Sequence, residues 1–228
     1  MNNLTDILKK ISLFSSLESH AIEKLSQSLR PVSLKQGETL FLKGDEGDCM
    51  YIVRRGTIKI VLPSIAGEEI IVALLKKNDF FGVMAMLDGE SRSADAVTVT
   101  NSEVFLLGRN DFLSILQSDI NALKTILFDL SQMIRKTDDF LGDVCFSPIS
   151  IRLAKKLLEL AETSGRVEGN TAYIDIALTQ KDLGDLVGAT RESVNKALKV
   201  LRNDDLISID SNKISITDVE TLQIKAQQ

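Results

Sequence analysis

Thr190-Arg-Glu-Ser-Val-Asn-Lys-Ala-Leu-Lys-Val-Leu-Arg202 is the stretch from which the rest of the chain can be read. Val194, Ala197, Leu198 and Leu201 recur at the three- to four-residue spacing of one buried helical stripe, which turns Arg191, Glu192, Asn195, Lys196 and Lys199 outward. Directly before it stands Thr179-Gln-Lys-Asp-Leu-Gly-Asp-Leu-Val-Gly188. Thr179 can cap a helix start, Asp182 can complete a capping box, Gly188 can end that helix, and Thr190 can cap the next. Two helices joined by so short a turn make a helix-turn-helix.

The outward residues have base-reading chemistry. Arg pairs with guanine O6 and N7, Lys reaches the same acceptors, Glu accepts from cytosine N4, and Asn pairs with adenine N6 and N7. They sit near the N-terminal half of the helix, the half that a helix-turn-helix inserts into the major groove. The same face also reads as an ordinary solvated helix surface. Leu206-Ile-Ser-Ile-Asp-Ser-Asn-Lys-Ile-Ser-Ile216 tips the balance, because two alternating strands around an Asp-Ser-Asn-Lys turn place a β-hairpin after the helix. The pair makes a winged helix.

The remaining composition narrows the function class. At 228 residues the chain suits two modest domains, and 44% apolar with 26% charged residues is ordinary for a soluble globular protein. The N-terminus lacks a basic region followed by a long apolar run, so a cytoplasmic protein without membrane contact is expected. Cys49 and Cys145 have no Cys or His at ligand spacing, so no metal is expected and both read as packing residues. His20, the one histidine, reads as a surface residue of an early helix, and no acid-base pair stands at motif spacing; no catalytic residue and no enzyme are expected. A net charge of −5 argues against general nucleic-acid coating, yet residues 190–202 carry four cations against Glu192 alone, or +3.

In chain order, residues 4–29 read as short amphipathic helices anchored by Phe14 and Leu17. From Val32 to Leu107, glycine-punctuated runs such as Met50-Tyr-Ile-Val53 and Thr57-Ile-Lys-Ile-Val-Leu62 indicate a β-sandwich or barrel, with a jelly roll preferred. Asn110 to about Val144 reads as one long helix. Along it Ile120, Leu123, Leu127, Leu130, Ile134, Thr137, Leu141 and Val144 keep heptad spacing, a narrow seam that a second copy would cover in a parallel dimer; core packing is the alternative. Ile126, Met133 and Phe140 form a neighbouring stripe expected to lie on the β-domain. Pro148 marks a boundary, Ile149 to Ala161 is a further helix, Tyr173 to Ile176 is a strand, and residues past Asp218 are expected to be a frayed helix end. The fold class is α+β: a jelly roll over residues 1–109, a dimerisation helix over 110–146, and a winged helix-turn-helix over 147–228.

On these residues the chain resembles the cyclic-AMP receptor protein and fumarate-nitrate regulator family of bacterial transcription factors over essentially its whole length. The likeness is carried by Phe80-Phe-Gly82 with Ser91-Arg-Ser93, by the heptad helix, and by Leu178 to Gly188 with Arg191-Glu-Ser-Val-Asn-Lys196. The resemblance implies a homodimer with a ligand in the jelly roll, a palindromic DNA site, and RNA polymerase as a partner. Arg191, Glu192 and Ser193 match the family pattern that reads a TGTGA-like half-site, while Lys196 replaces its last Arg with a less directional charge. The expected DNA-contact set is Thr179, Gln180, Thr190, Arg191, Glu192, Ser193, Asn195, Lys196 and Lys199.

The family's cyclic-nucleotide cassette is partly kept. Gly82, Arg92 and Ser93 retain its phosphate partners, Val83 stands where the ribose-binding glutamate would be, and Thr137 and Asp138 fall at the two base-contacting positions of the long helix. Thr137 also reads as a dimer-register residue. These six are the expected ligand set. No cofactor is firmly implied; a cyclic or other phosphate-bearing nucleotide is the expected effector, with cyclic AMP weak and a guanine nucleotide at least competitive if Asp138 turns inward. An iron-sulfur or haem sensor lacks its ligands. The reading is a dimeric, ligand-controlled, sequence-specific transcription regulator, with an effector-independent regulator or a nucleotide-binding protein acting on a protein partner as alternatives.

Overall fold

The computed structural model describes residues 2–210 and 213–227, without the side chains of residues 2 and 3. Contacts divide it into two units, residues 1–135 and 136–228.

In the first unit, helix α1 (Asn2–Leu8), a 3-10 turn (Ser12–Phe14) and α2 (Ser19–Ser28) come first. Phe14 and Leu17 are buried as expected and His20 is exposed on α2. Eight strands follow: β1 (Arg30–Leu34), β2 (Thr39–Phe41), β3 (Cys49–Arg55), β4 (Ile58–Pro63), β5 (Glu69–Leu75), β6 (Phe80–Phe81), β7 (Asp95–Thr98) and β8 (Ser102–Gly108), with α3 (Val83–Asp88) between β6 and β7. They pair antiparallel in two sheets, β1-β8-β3-β6 and β2-β7-β4-β5, which is the jelly roll. Val53, Ile58, Phe81, Ala96 and Val104 form one core cluster; Met50, Ile52, Val83, Met86, Phe105 and Leu107 join the N-terminal helices in another.

The long helix expected over 110–144 is broken. Arg109–Ser118 forms α4 and Ile120–Phe146 forms α5, with Asp119 between them in extended conformation (φ −132°, ψ 109°). Its Oδ1 accepts from the Asn121 amide at 2.7 Å, which holds the carboxyl below its usual pKa and starts a new helix at Ile120. Apolar spacing runs through the break and so hid it. On α5, Ala122 and Ile126 are buried against the N-terminal cluster and Leu130 packs beside them, whereas Ile120, Leu127, Ile134 and Leu141 are exposed. The stripe assigned to the β-domain is therefore only partly there: Ile126 is, Met133 is 54% exposed, and Phe140 belongs to the second unit. Cys49 packs inside, but Cys145 is exposed near the end of α5, not a packing residue.

The second unit is organised on α6 (Ile149–Ser164), whose Leu153, Ala154, Leu157, Leu160 and Ala161 are buried. It contacts α7 (Gln180–Val187), α8 (Arg191–Asn203) and α9 (Val219–Ala226). A four-stranded sheet adds β9 (Gly165–Glu168), β10 (Thr171–Ile174), β11 (Ile207–Asp210) and β12 (Lys213–Ile216) in the order β11-β12-β10-β9. The wing strands β11 and β12 lie where expected, while the Ser211-Asn212 tip of the turn lies outside the described residues. The strand expected at 173–176 sits two residues earlier as β10 and is paired by the unforeseen β9.

The C-terminal segment is no frayed end. Asp218 caps α9 by accepting from the Thr221 amide at 2.9 Å, and Leu222 is fully buried. We expect Leu222→Ala to cost about 2–5 kcal/mol, as truncation of a packed leucine does. Ile224→Ala, at a position 62% exposed, should stay within about 0.5 kcal/mol. Denaturant unfolding of both variants checks the contrast.

Candidate nucleic-acid interface and effector site

Local chemistry sets the pose of α8. At Thr179 the capping box is complete, with Thr179 Oγ1 accepting from the Asp182 amide at 3.1 Å and Asp182 Oδ2 accepting from the Thr179 amide at 3.0 Å. Gly188 ends α7 in the left-handed region, at φ 62°, where a Cβ would be strained. Thr190 Oγ1 then caps α8 by accepting from the Ser193 amide at 3.2 Å. Inside the turn, a Cβ on Gly184 would come within 2.6 Å of the Ala189 carbonyl, so glycine lets the two helices approach.

Val194, Ala197, Leu198 and Leu201 are all buried, and Arg191, Glu192, Asn195, Lys196 and Lys199 are all exposed. Thr179 and Thr190 are exposed beside them, and Gln180 and Ser193 are half-buried. The face carries three cations and one anion around one amide, a pattern that can donate to guanine and to phosphate.

Arg152, a residue beyond the expected set, holds this arrangement, and Asp185 pairs within α7. Arg152 of α6 donates through Nη1 to the Val187 and Gly188 carbonyls, tying down the C-terminus of α7. Asp185 is 9% exposed, and Lys181 donates to it at 2.7 Å. Arg152 could have been suspected only as a charge on an otherwise apolar helix face; its partners lie 35 and 36 residues away in sequence.

In the first unit, Arg92 is 4% exposed. Its Nη1 donates to the Gly82 carbonyl at 2.9 Å and its Nη2 to the Cys49 carbonyl at 2.7 Å, while the guanidinium lies 4.3 Å from the Phe41 ring centroid and 5.7 Å from that of Tyr51. Phe41, Tyr51 and Phe81 form a ring cluster with centroids 5.2–6.1 Å apart. Burial raises the pKa of both the Tyr51 hydroxyl and the Cys49 thiol, so both groups are protonated and neutral beside the cation. Among the described residues Arg92 has no carboxylate partner, and its Nε is buried with no partner at all.

The other expected ligand residues are dispersed. Gly82 supplies a carbonyl to Arg92, Val83 is 8% exposed in the N-terminal core cluster, and Ser93 is exposed, with its hydroxyl 3.7 Å from Met84 Sδ. Thr137 and Asp138 are exposed on α5 and belong to the second unit. Phe41 and Tyr51 were not foreseen; aromatic residues in an alternating strand read simply as core.

Among the described residues no helix is long and apolar enough to cross a membrane, and no group of three His, Cys, Asp or Glu side chains is placed to hold a metal. Residues 31–119 match the cyclic nucleotide-binding domain family and residues 151–224 the Crp-like helix-turn-helix domain family. A CRP-like cAMP-activated global transcriptional regulator of Mycobacterium tuberculosis is 31% identical over 98% of this chain and 100% of its own length. Among solved structures, a CRP/FNR-family transcriptional regulator of Thermus thermophilus superposes with a TM-score of 0.73 at 25% identity, covering 87% of this chain and 99% of that one. The c-di-GMP responsive regulator CLP of Xanthomonas campestris shares the fold, with a TM-score of 0.76 at 18% identity over 87% of this chain and 99% of that one.

Proposed function

Since the chain belongs to the CRP/FNR family of transcription regulators, we propose that two copies pair through α5 and present their α8 helices to successive major grooves of a palindromic site with TGTGA-like half-sites. One observation carries this reading: Arg191, Glu192, Asn195, Lys196 and Lys199 of α8 all face solvent while the stripe opposite them is entirely buried. Arg191 takes guanine through two parallel hydrogen bonds, Glu192 accepts from cytosine, Lys196 adds a second charge toward guanine, and Lys199 meets phosphate. The exposed Ile120, Leu127, Ile134 and Leu141 repeat every seven residues, which supports a parallel seam. Residues 1–109, 110–146 and 147–228 then serve as effector domain, dimerisation helix and DNA-binding domain. The protein acts in the cytoplasm as a regulator without catalytic activity, with RNA polymerase as its partner.

For the effector we propose a phosphate-bearing nucleotide bound at Arg92. The orphaned Nε supports this, since a buried cation with an unused donor and no carboxylate gains from an anion. The relative in Mycobacterium tuberculosis is named as cAMP-activated, but Val83 offers no acceptor for a ribose hydroxyl, so cyclic AMP should bind more weakly than a pocket with that acceptor allows, by about 1 kcal/mol or more. A second reading, regulation without effector, is favoured by the carbonyls and rings that already hold the guanidinium.

Arg191→Ala should cost about 1–3 kcal/mol of specific binding and relax the choice at one guanine per half-site. Lys199→Ala should weaken all sequences alike and lower the salt slope by about 1. Anisotropy titrations on specific and random duplexes separate the two; unchanged sequence choice in Arg191→Ala overturns the docking.

Leu127→Asp, at a surface position 56% exposed, should leave each chain folded yet give monomers that no longer bind the palindrome. Sedimentation showing an intact dimer refutes the seam.

Calorimetry with a nucleotide panel tests the effector. Heat seen with the wild type and absent in Arg92→Ala, with circular dichroism unchanged, supports the phosphate reading. No heat with any nucleotide, alongside intact DNA binding, selects the effector-independent one.

A further inference from the structure

Asn195 differs from the other polar residues on the outer face of α8. Among the described residues, Arg191, Glu192, Lys196 and Lys199 have no side-chain partner within the protein, whereas Asn195 Oδ1 accepts from Gln180 Nε2 at 3.4 Å. The donor starts from a fixed origin. Gln180 is the first residue of α7, directly after the capping box at Thr179, and it is half-buried. The two helices pack against each other, with Leu183, Leu186, Val194 and Leu198 all buried, and Gly184 permits the close approach of the turn.

This contact bears on base choice because an asparagine amide has a sense. Adenine shows the major groove a donor at N6 beside an acceptor at N7, so the amide must present its oxygen and its nitrogen in one order and not the reverse. A free, exposed asparagine turns about its last torsion and samples both orders. A partner that donates to Oδ1 selects one of them while leaving that oxygen a second lone pair and leaving Nδ2 both its hydrogens. The bond from Gln180 thus orders the side chain before DNA arrives and leaves its reading edge open.

We propose that Gln180 is a positioning residue for base recognition, fixing the sense of the Asn195 amide so that it reads one adenine in each half-site. The inference rests on the reading of α8 as the recognition helix. It assigns Gln180 a role through Asn195 instead of through a direct DNA contact.

Selection from randomised half-sites, followed by anisotropy on the full-length dimer, tests it with Asn195→Ala, Gln180→Ala, Gln180→Glu and the double alanine variant. Asn195→Ala should lower the preference for adenine at one base pair about tenfold. Gln180→Ala should lower it at the same pair, with affinity for random duplex changed less than about twofold, and the double variant should go no further than Asn195→Ala alone. Gln180→Glu, which accepts but does not donate, draws Nδ2 inward and should lower the adenine preference below that of Gln180→Ala. Uniform loss of affinity in Gln180→Ala with sequence choice intact marks a phosphate contact and overturns the proposal, as do additive effects in the double variant. Arg191→Ala in the same selection keeps the two levels apart. Lost guanine choice there with unchanged choice in Asn195→Ala overturns only the role of Gln180; unchanged choice in both overturns the recognition-helix reading as well.

Discussion

The burial of Val194, Ala197, Leu198 and Leu201 is the interaction on which the DNA-binding unit depends. At about 1.5–3 kcal/mol for each large apolar side chain removed from water, this stripe outweighs what caps and ion pairs contribute to the same helix. It also sets the helix's rotation about its own axis. Once the stripe faces α6, the residues between its members must face solvent, and those are the ones with hydrogen-bonding chemistry. The Thr179 capping box, the left-handed Gly188 and Arg152 on the last carbonyls of α7 then fix the turn. Hydrogen-bonding chemistry and fold stability share one helix without competing for the same side chains.

The jelly roll meets the opposite problem, a charge inside. Among the described residues Arg92 is removed from water without a carboxylate, and two backbone carbonyls and the face of Phe41 take the place of its hydration. Burying an arginine in this way is tolerable because its charge is spread over a planar group that stacks on rings while its edge donates. The neutral Tyr51 and Cys49 add dipoles without neutralising the charge. A cation so placed is an electrostatic preference for an anion built into the core, and it links the packing of β3 and α3 to whatever reaches it.

α5 joins these two constructions. Its first half is fastened by Ala122 and Ile126, and its second half belongs with the DNA-binding unit, where a Cβ at Gly188 would sit 3.1 Å from Val144 and 3.4 Å from Phe140. The side chains that repeat every seven residues are left outside both cores. An apolar row of this length left in water is unusual on an otherwise well-packed chain.

Much of this was legible in the residue order. Buried and exposed positions of α8, both helix caps, the glycine stop, the wing strands and the double-sheet domain all follow from local rules in which period, capping chemistry and backbone freedom act over a few residues. The break at Asp119 and the packed α9 were not legible. Apolar periodicity continues through the first, and the second draws its order from α6, some sixty residues away. Still less could the order of residues reveal that Arg92 would lie between carbonyls and rings, that Arg152 would fasten a turn, or that Gln180 would hold Asn195. Residue order was enough to place the buried and exposed faces of α8 and the strands of the wing, because those faces are set by short-range geometry. Tertiary structure alone decided which of those side chains meet, because partners 15, 35 and 43 residues apart are brought together only by the packing of whole elements.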